Sequence, residues 1–322
     1  MTWPVRFAEV LAAEQRIRPL LPPTPLRQYA ALDAAVGNGI RVLVKHEDHN
    51  PTNAFKVRNA LSVLAALTED EKRRGVVAAT RGNHGLGVAF AGAALGVPVT
   101  ICVPLGNNSE KNEAIRGYGA ELVEQGHDYD ASVEVAQRIA ADRGAQLVHS
   151  TNDVRVIAGA ATLTLEILRE RPDVEAMVLA VGGGSQAVGA LTVARELAPK
   201  VGVWAVQAER ASAIHDSWHA KKPMAGASAD TFADGLATRN VYEMTFGALC
   251  QGLRGFSAVS EDELADAMRL MIKTTHHLCE GAGSAGLAGL MRLRDELAGK
   301  TVAIVLSGSN VDQATLRRVL CG

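Results

Sequence analysis

Lys56 stands in the run Asn50-Pro51-Thr52-Asn53-Ala54-Phe55-Lys56-Val57-Arg58, where a Pro-Thr-Asn turn leads into a segment of helical period. That puts the lysine in the first turn of a helix, near its positive end, which favours the neutral and nucleophilic amine. Neutral amine is the form that makes a Schiff base with a carbonyl. A single lysine is most often a solvated surface residue, so the reading depends on its company. A second signal is the glycine run Val181-Gly182-Gly183-Gly184-Ser185-Gln186. Successive glycines let the backbone curl until several N–H groups point at one anion, and a following helix adds its positive end. The plainer alternative is an ordinary strand-to-helix turn. The run is neither G-x-G-x-x-G nor a Gly-Lys-Ser/Thr loop, which disfavours a nucleotide. Two further polar turns complete the set, Thr80-Arg81-Gly82-Asn83-His84 and Ser307-Gly308-Ser309-Asn310.

The elements that must position these turns follow from the hydrophobic pattern. Apolar runs at 41–45, 76–79, 99–103, 176–181, 201–206 and 301–306 read as strands, several of them apolar throughout, as strands covered on both faces are. Between them lie stretches of helical period at 55–67, 84–95, 130–143, 156–169, 261–278 and 285–297. Strand followed by helix, repeated, implies parallel sheets with crossover helices. Ligands in such sheets sit beyond the carboxyl ends of the strands. Three strands end directly in the three Gly- or Ser-rich turns, so a single cleft lined by all of them is expected. No internal repeat of roughly 20–50 residues breaks the pattern.

Together these segments resemble the threonine/serine dehydratase family of fold-type II enzymes that use pyridoxal 5'-phosphate, the family of threonine ammonia-lyases and serine racemases. The resemblance covers nearly the whole chain. It runs from Thr24-Pro25-Leu26 through Pro51-Thr52-Asn53-Ala54-Phe55-Lys56, Gly82-Asn83-His84-Gly85 and Val156-Ile157-Ala158-Gly159 to Gly182-Gly183-Gly184-Ser185 and Ser307-Gly308-Ser309-Asn310. It implies an α/β fold of two parallel-sheet, three-layer lobes like the tryptophan synthase β chain. A small domain (51–149) would be inserted into a large one (1–50 plus 150–322). It implies that Lys56 carries the cofactor as a Schiff base, that Phe55 packs on its ring and that Asn83 bonds the ring's 3'-hydroxyl. Gly182, Gly183, Gly184, Ser185 and Gln186 would hold the phosphate, and Ser307 would meet the pyridine nitrogen. The loop Thr80, Arg81, Gly82, Asn83 and His84 would hold the substrate carboxylate on its N–H groups. A serine, unlike a carboxylate, does not keep the pyridine nitrogen protonated, which favours prompt loss of a β-leaving group over a long-lived carbanion. The implied activity is dehydration and deamination of L-threonine or L-serine to a 2-oxo acid and ammonia.

Several positions depart from the family. Arg81 replaces a second serine that serves the racemase branch as acid and base, and a guanidinium is a poor proton shuttle; racemisation is not expected. Arg81 would either contact a substrate carboxylate or turn outward to an acid elsewhere. Ser185 stands for a fourth glycine and Ala54 for a serine. The acidic cluster of the racemase-branch cation site is out of register in Gln207-Ala208-Glu209-Arg210-Ala211-Ser212-Ala213, so no metal is expected. His215 and His219 share a helix face without a third ligand, and His276-His277 reads as one buried and one exposed helix position. The chain stops about a dozen residues beyond Ser309, too soon for the regulatory domain of the biosynthetic threonine deaminases, so isoleucine control is not expected.

Whole-chain properties narrow the class. Of 322 residues, 48% are apolar and 21% charged, which is globular, and the length suggests two lobes. Net charge is -2 with no basic stripe, against a nucleic-acid partner. No apolar run is long enough to span a bilayer and no secretory leader is visible, so a soluble, cytoplasmic protein is expected; the resemblance implies a homo-oligomer, as a dimer, acting on a small amino acid. Cys102, Cys250, Cys279 and Cys321 lack metal or disulfide spacing. Two rivals stay open: a dehydratase of another 3-hydroxy amino acid, such as phenylserine or hydroxyaspartate, with a racemase-like enzyme behind it, and a non-catalytic protein that only binds the cofactor.

Overall fold

A computed structural model of the chain describes residues 3–321. Ten strands form two sheets: β1 (Leu26–Gln28), β2 (Arg41–His46), β3 (Val76–Ala79), β4 (Val99–Val103), β5 (Glu121–Glu124), β6 (Gln146–Leu147), β7 (Ala176–Ala180), β8 (Gly202–Ala208), β9 (Gly255–Val259) and β10 (Thr301–Leu306). The larger sheet has the order β1-β2-β10-β7-β8-β9 and the smaller β5-β4-β3-β6. Every pairing is parallel except β1 with β2. The six apolar runs of the sequence are β2, β3, β4, β7, β8 and β10, and those in sheet interiors are buried along almost their whole length. The expectation of purely parallel sheets is corrected at one edge: β1 is three residues long and largely exposed, too short to leave a hydrophobic pattern. The helix expected over 261–278 stops at Thr275, and His276 caps it in the left-handed conformation, φ 60°. His276 is exposed and His277 partly buried, both beyond the helix. No helix among the described residues is long and apolar enough to cross a membrane.

The helix Lys56–Leu64 is clamped between the helices Asn83–Leu95 and Val154–Glu170. The approach is close enough to exclude a side chain at two contacts. A Cβ on Gly87 would lie 2.9 Å from the Lys56 carbonyl, and one on Gly159 would lie 2.5 Å from the Arg58 oxygen. Beside this contact four charges are removed from water. Arg58 is 1% exposed and Glu47 is fully buried. Arg58 Nε donates to Glu47 Oε2 at 2.7 Å, and its Nη1 to Glu166 Oε1 at 2.7 Å. Lys45, also fully buried, pairs with Glu166 Oε2 at 2.6 Å and donates to the Thr24 carbonyl. Two cations and two anions cancel. Burial pushes Glu47 upward, but Arg58 outweighs it and holds the carboxyl below its ordinary value.

A buried cluster of this kind tolerates no missing member, because the remaining charge is left unpaired. Arg58→Leu strands the fully buried Glu47, leaving Glu166 only Lys45, and is expected to destabilise the fold by about 3–5 kcal/mol, read as a lower midpoint in urea unfolding; Arg116→Leu, at an exposed pair with Glu124, should change it by less than about 1 kcal/mol. Equal midpoints for the two variants would contradict the assignment.

Candidate active site

Lys56, expected in the first turn of a helix, is the first residue of the helix Lys56–Leu64. The turn before it is stitched to the end of β10: Phe55 N–H donates to the Ser307 carbonyl at 3.0 Å, and Ala54 forms an isolated bridge with Gly308. Lys56 and Ser307 thereby come to one cleft, partly open to solvent. The same cleft is lined by Phe55, by Thr80, Arg81, Gly82, Asn83 and His84 after β3, and by Gly182, Gly183, Gly184, Ser185 and Gln186 after β7. All the site residues expected from sequence lie together, at the carboxyl ends of strands of both sheets.

The lysine itself is poised for amine chemistry. Among the described residues Nζ hydrogen-bonds only to the Ser150 carbonyl oxygen, at 3.2 Å, and pairs with no carboxylate. Desolvation lowers its pKa from 10.5 to about 8. Lys111, which also lines the cleft, is different: Asp234 pairs with it, and Asp234 with Glu280 keeps its pKa raised in spite of burial.

The glycine turn opens the helix Ser185–Leu197. Gly184 has φ 98°, a left-handed value that strains any other side chain. A Cβ on Gly183 would strike Thr151 Oγ1 at 2.1 Å, and one on Gly182 the Gly235 oxygen at 2.2 Å. Among the described residues no partner takes the backbone N–H groups from Gly182 to Ala187, and Gln186 Nε2 is buried without an acceptor. Converging unpaired donors at a helix N-terminus are an anion cradle. A phosphate fits it.

The second turn divides its donors. Thr80 Oγ1 accepts from Gly82 N at 2.9 Å and from Gly85 N at 3.1 Å, which leaves the N–H groups of Asn83 and His84 without a partner among the described residues. Asn83 Nδ2 donates to Glu280 Oε1 at 2.6 Å, and its Oδ1 accepts from Asn310 at 2.7 Å. One amide hydrogen of Asn83 stays free for a ligand. The His84 ring is half engaged: Nε2 donates to the Val148 carbonyl at 3.0 Å while Nδ1 is buried without a partner among the described residues, and burial, with Lys56 nearby, lowers its pKa to about 3. It is neutral at any ordinary pH and cannot serve as a proton donor. Ser307 is buried, its hydroxyl 3.3 Å from the Ala282 oxygen, a weak hold that a ring nitrogen can replace.

The family model for pyridoxal-phosphate dependent enzymes matches residues 17–308. The chain belongs to the pyridoxal-phosphate dependent enzyme family. Its cofactor is pyridoxal 5'-phosphate, and the expected fold and class are borne out. The L-threonine ammonia-lyase of Thermotoga maritima is 34% identical over 98% of this chain and 78% of its own length. The L-threo-3-hydroxyaspartate ammonia-lyase of Saccharomyces cerevisiae is 28% identical over 98% of this chain and 96% of its own. Maize serine racemase superposes with a TM-score of 0.93 at 26% identity, covering 98% of this chain and 97% of that one.

Sequence reasoning missed Glu280, Tyr129 and Tyr242, which also line the cleft of this family member. Burial raises the Glu280 carboxyl to about 7, although Lys111 and Asn83 pull it down. Burial likewise pushes the Tyr129 phenol up, so it stays a donor, 3.3 Å from Ser150 Oγ. The faint signal for Glu280 was its place before Gly281-Ala282-Gly283, where it caps a helix. The two tyrosines had none.

The lowered pKa of Lys56 has a sign that can be measured. Amine reactivity tracks the neutral fraction, which rises with pH and saturates above the pKa. In cofactor-free protein, acylation of Lys56 followed by mass spectrometry should rise through about pH 8 and then level off. A rate still climbing beyond pH 10 would mark Lys56 as an ordinary solvated lysine.

Proposed function

We propose that the enzyme removes the β-hydroxyl and the amino group of L-threonine or L-serine, yielding a 2-oxo acid and ammonia. Lys56 would carry the cofactor. Gly182 to Gln186 would hold its phosphate, Asn83 its ring hydroxyl and Ser307 its ring nitrogen. The observation that carries the reading is a pair of groups lining one cleft, an amine without a carboxylate partner at Lys56 and a neutral hydroxyl at Ser307, which would meet the two ends of the ring. Bound there, pyridoxal 5'-phosphate supplies an electron sink conjugated to the substrate nitrogen. The protein's own part is acid-base work and orientation. Lys56 Nζ, once free, is the base that takes the α-proton, and its pKa near 8 leaves a useful neutral fraction at physiological pH. The unpaired N–H groups of Asn83 and His84 would orient the substrate carboxylate. The Thermotoga relative, by its name, acts on L-threonine.

One observation favours a second substrate. Arg81 is exposed at the cleft mouth, with neither a hydrogen bond nor an ion pair among the described residues, so the outward-paired alternative lacks a partner. Its guanidinium suits a second carboxylate, as in 3-hydroxyaspartate, the substrate in the name of the yeast relative. The expectation of a cytoplasmic homodimer, and of a small domain at 51–149 inserted in a large one, belongs to this reading. The domain division alone finds support in the sheet topology, in which β3 to β6 form a sheet of their own.

The test is release of 2-oxo acid from threonine, serine, phenylserine and hydroxyaspartate by the cofactor-loaded protein. Turnover of threonine or serine is expected; cofactor binding with no turnover of any of the four would make the protein a non-catalytic binder. If Arg81 meets substrate, Arg81→Ser should lower kcat/KM for hydroxyaspartate relative to threonine by roughly ten- to a hundredfold, the loss of one charge-assisted hydrogen bond. An unchanged ratio would put Arg81 outside the pocket.

A further inference from the structure

His46, Asp48, His49 and His277 each offer one ligand atom, and these atoms lie within 4.8 Å of one another. Two separate segments supply them: the end of β2 with the turn Glu47–His49, and the loop that follows the helix Glu261–Thr275. Asp48 is the centre. Its Oδ1 lies 3.0 Å from His46 Nδ1, and its Oδ2 lies 3.0 Å from His277 Nδ1 and 3.9 Å from His49 Nε2. The three imidazoles crowd round it, with centroids 4.3 Å apart for His46 and His277, 5.1 Å for His49 and His277, and 5.3 Å for His46 and His49.

Hydrogen bonding to Asp48 accounts for His46 and His277 but not for His49, which at 3.9 Å is out of hydrogen-bond range. A tetrahedral ion accounts for all three. With metal–ligand bonds of about 2.0–2.1 Å, neighbouring ligand atoms stand roughly 3.3 Å apart, and the separations from Asp48 Oδ2, 3.0 Å to His277 and 3.9 Å to His49, straddle that value. The far nitrogen of His46, Nε2, is already fixed from outside by the Tyr29 hydroxyl at 2.8 Å. That is the kind of outer partner that orients ligating imidazoles.

We propose that His46, Asp48, His49 and His277 form a binding site for a zinc-class divalent cation. Three nitrogens and one oxygen select borderline ions such as Zn2+, Co2+ and Ni2+ over Mg2+ and Ca2+, which prefer all-oxygen sets. Four protein ligands make the site structural rather than catalytic. His49, 35% exposed at its side chain, is the door through which the ion exchanges with solvent. Binding would staple the strand end that leads to Phe55 and Lys56 to the loop that leads to Glu280, the partner of Asn83. The other close histidine pair cannot do this. The His215 and His219 ring centroids are 4.5 Å apart, but no cluster of three or more potential ligands forms round them among the described residues.

The test is titration of chelator-treated holoenzyme with Co2+, followed by its visible d–d absorption and by metal analysis, with zinc as competitor. One cobalt per chain, tetrahedral in spectrum, displaced by zinc and unaffected by magnesium, is expected. His49→Gln, at an exposed position, and the double variant H49Q/H277Q should each weaken binding by about ten- to a hundredfold or more, with the cofactor absorbance of both checked for intact folding. H215Q/H219Q should bind as the parent does. Substoichiometric cobalt in the parent, unaltered affinity in His49→Gln, or loss of binding only in H215Q/H219Q would each overturn the site.

Discussion

Everything in the cleft hangs on Arg58. Its guanidinium is closed by carboxylates from two other elements, Glu47 after β2 and Glu166 in the helix Val154–Glu170, and Lys45 balances the charge. Charged groups this deep are tolerable only when each is paired and hydrogen-bonded. The pairing therefore admits one register of the helix Lys56–Leu64 against its neighbours. Residues two apart on a helix point about 200° apart. With Arg58 turned into the cluster, Lys56 must face the opposite way, into the cleft.

The cleft itself has the opposite electrostatics. Where the cluster leaves no charge unanswered, the cleft leaves its donors unanswered: the N–H groups from Gly182 to Ala187, those of Asn83 and His84, and the amide of Gln186. Apart from Arg81 at the mouth, titratable groups beside these donors are neutral or internally paired. His84 is neutral, and Lys111 is tied to Asp234. A site of free donors and few free charges favours an anionic ligand at two places, a phosphate at one turn and a carboxylate at another. Lys56 lies between them with a desolvated amine. The same desolvation that would destabilise a structural lysine makes this one reactive.

Much of this was legible because it is local. Lys56 before a helix, the glycine run after β7 and Ser307 at the end of β10 each announce themselves within a few residues, and the strand-end rule then gathers them into one cleft. The pairings that hold the cleft together were not legible. Arg58 and Glu166 are 108 residues apart, and Asp48 and His277 are 229; no local spacing records such contacts. Glu280 carried no more signal than any helix-capping acid. The strands β1, β5, β6 and β9 were missed because edge strands are short or only half buried, so their patterns lack a continuous apolar run. His276 and His277 were read as helix positions because the apolar period runs past the point where the backbone turns left-handed.

The central claim is that Lys56, alone among the lysines, carries the cofactor. Borohydride reduction of the cofactor-loaded enzyme followed by peptide mapping tests it most directly. The account predicts a single modified peptide with the label on Lys56, because Lys45 and Lys111 are each already paired with a carboxylate. Label on Lys45, on Lys111 or on several lysines at once would contradict it.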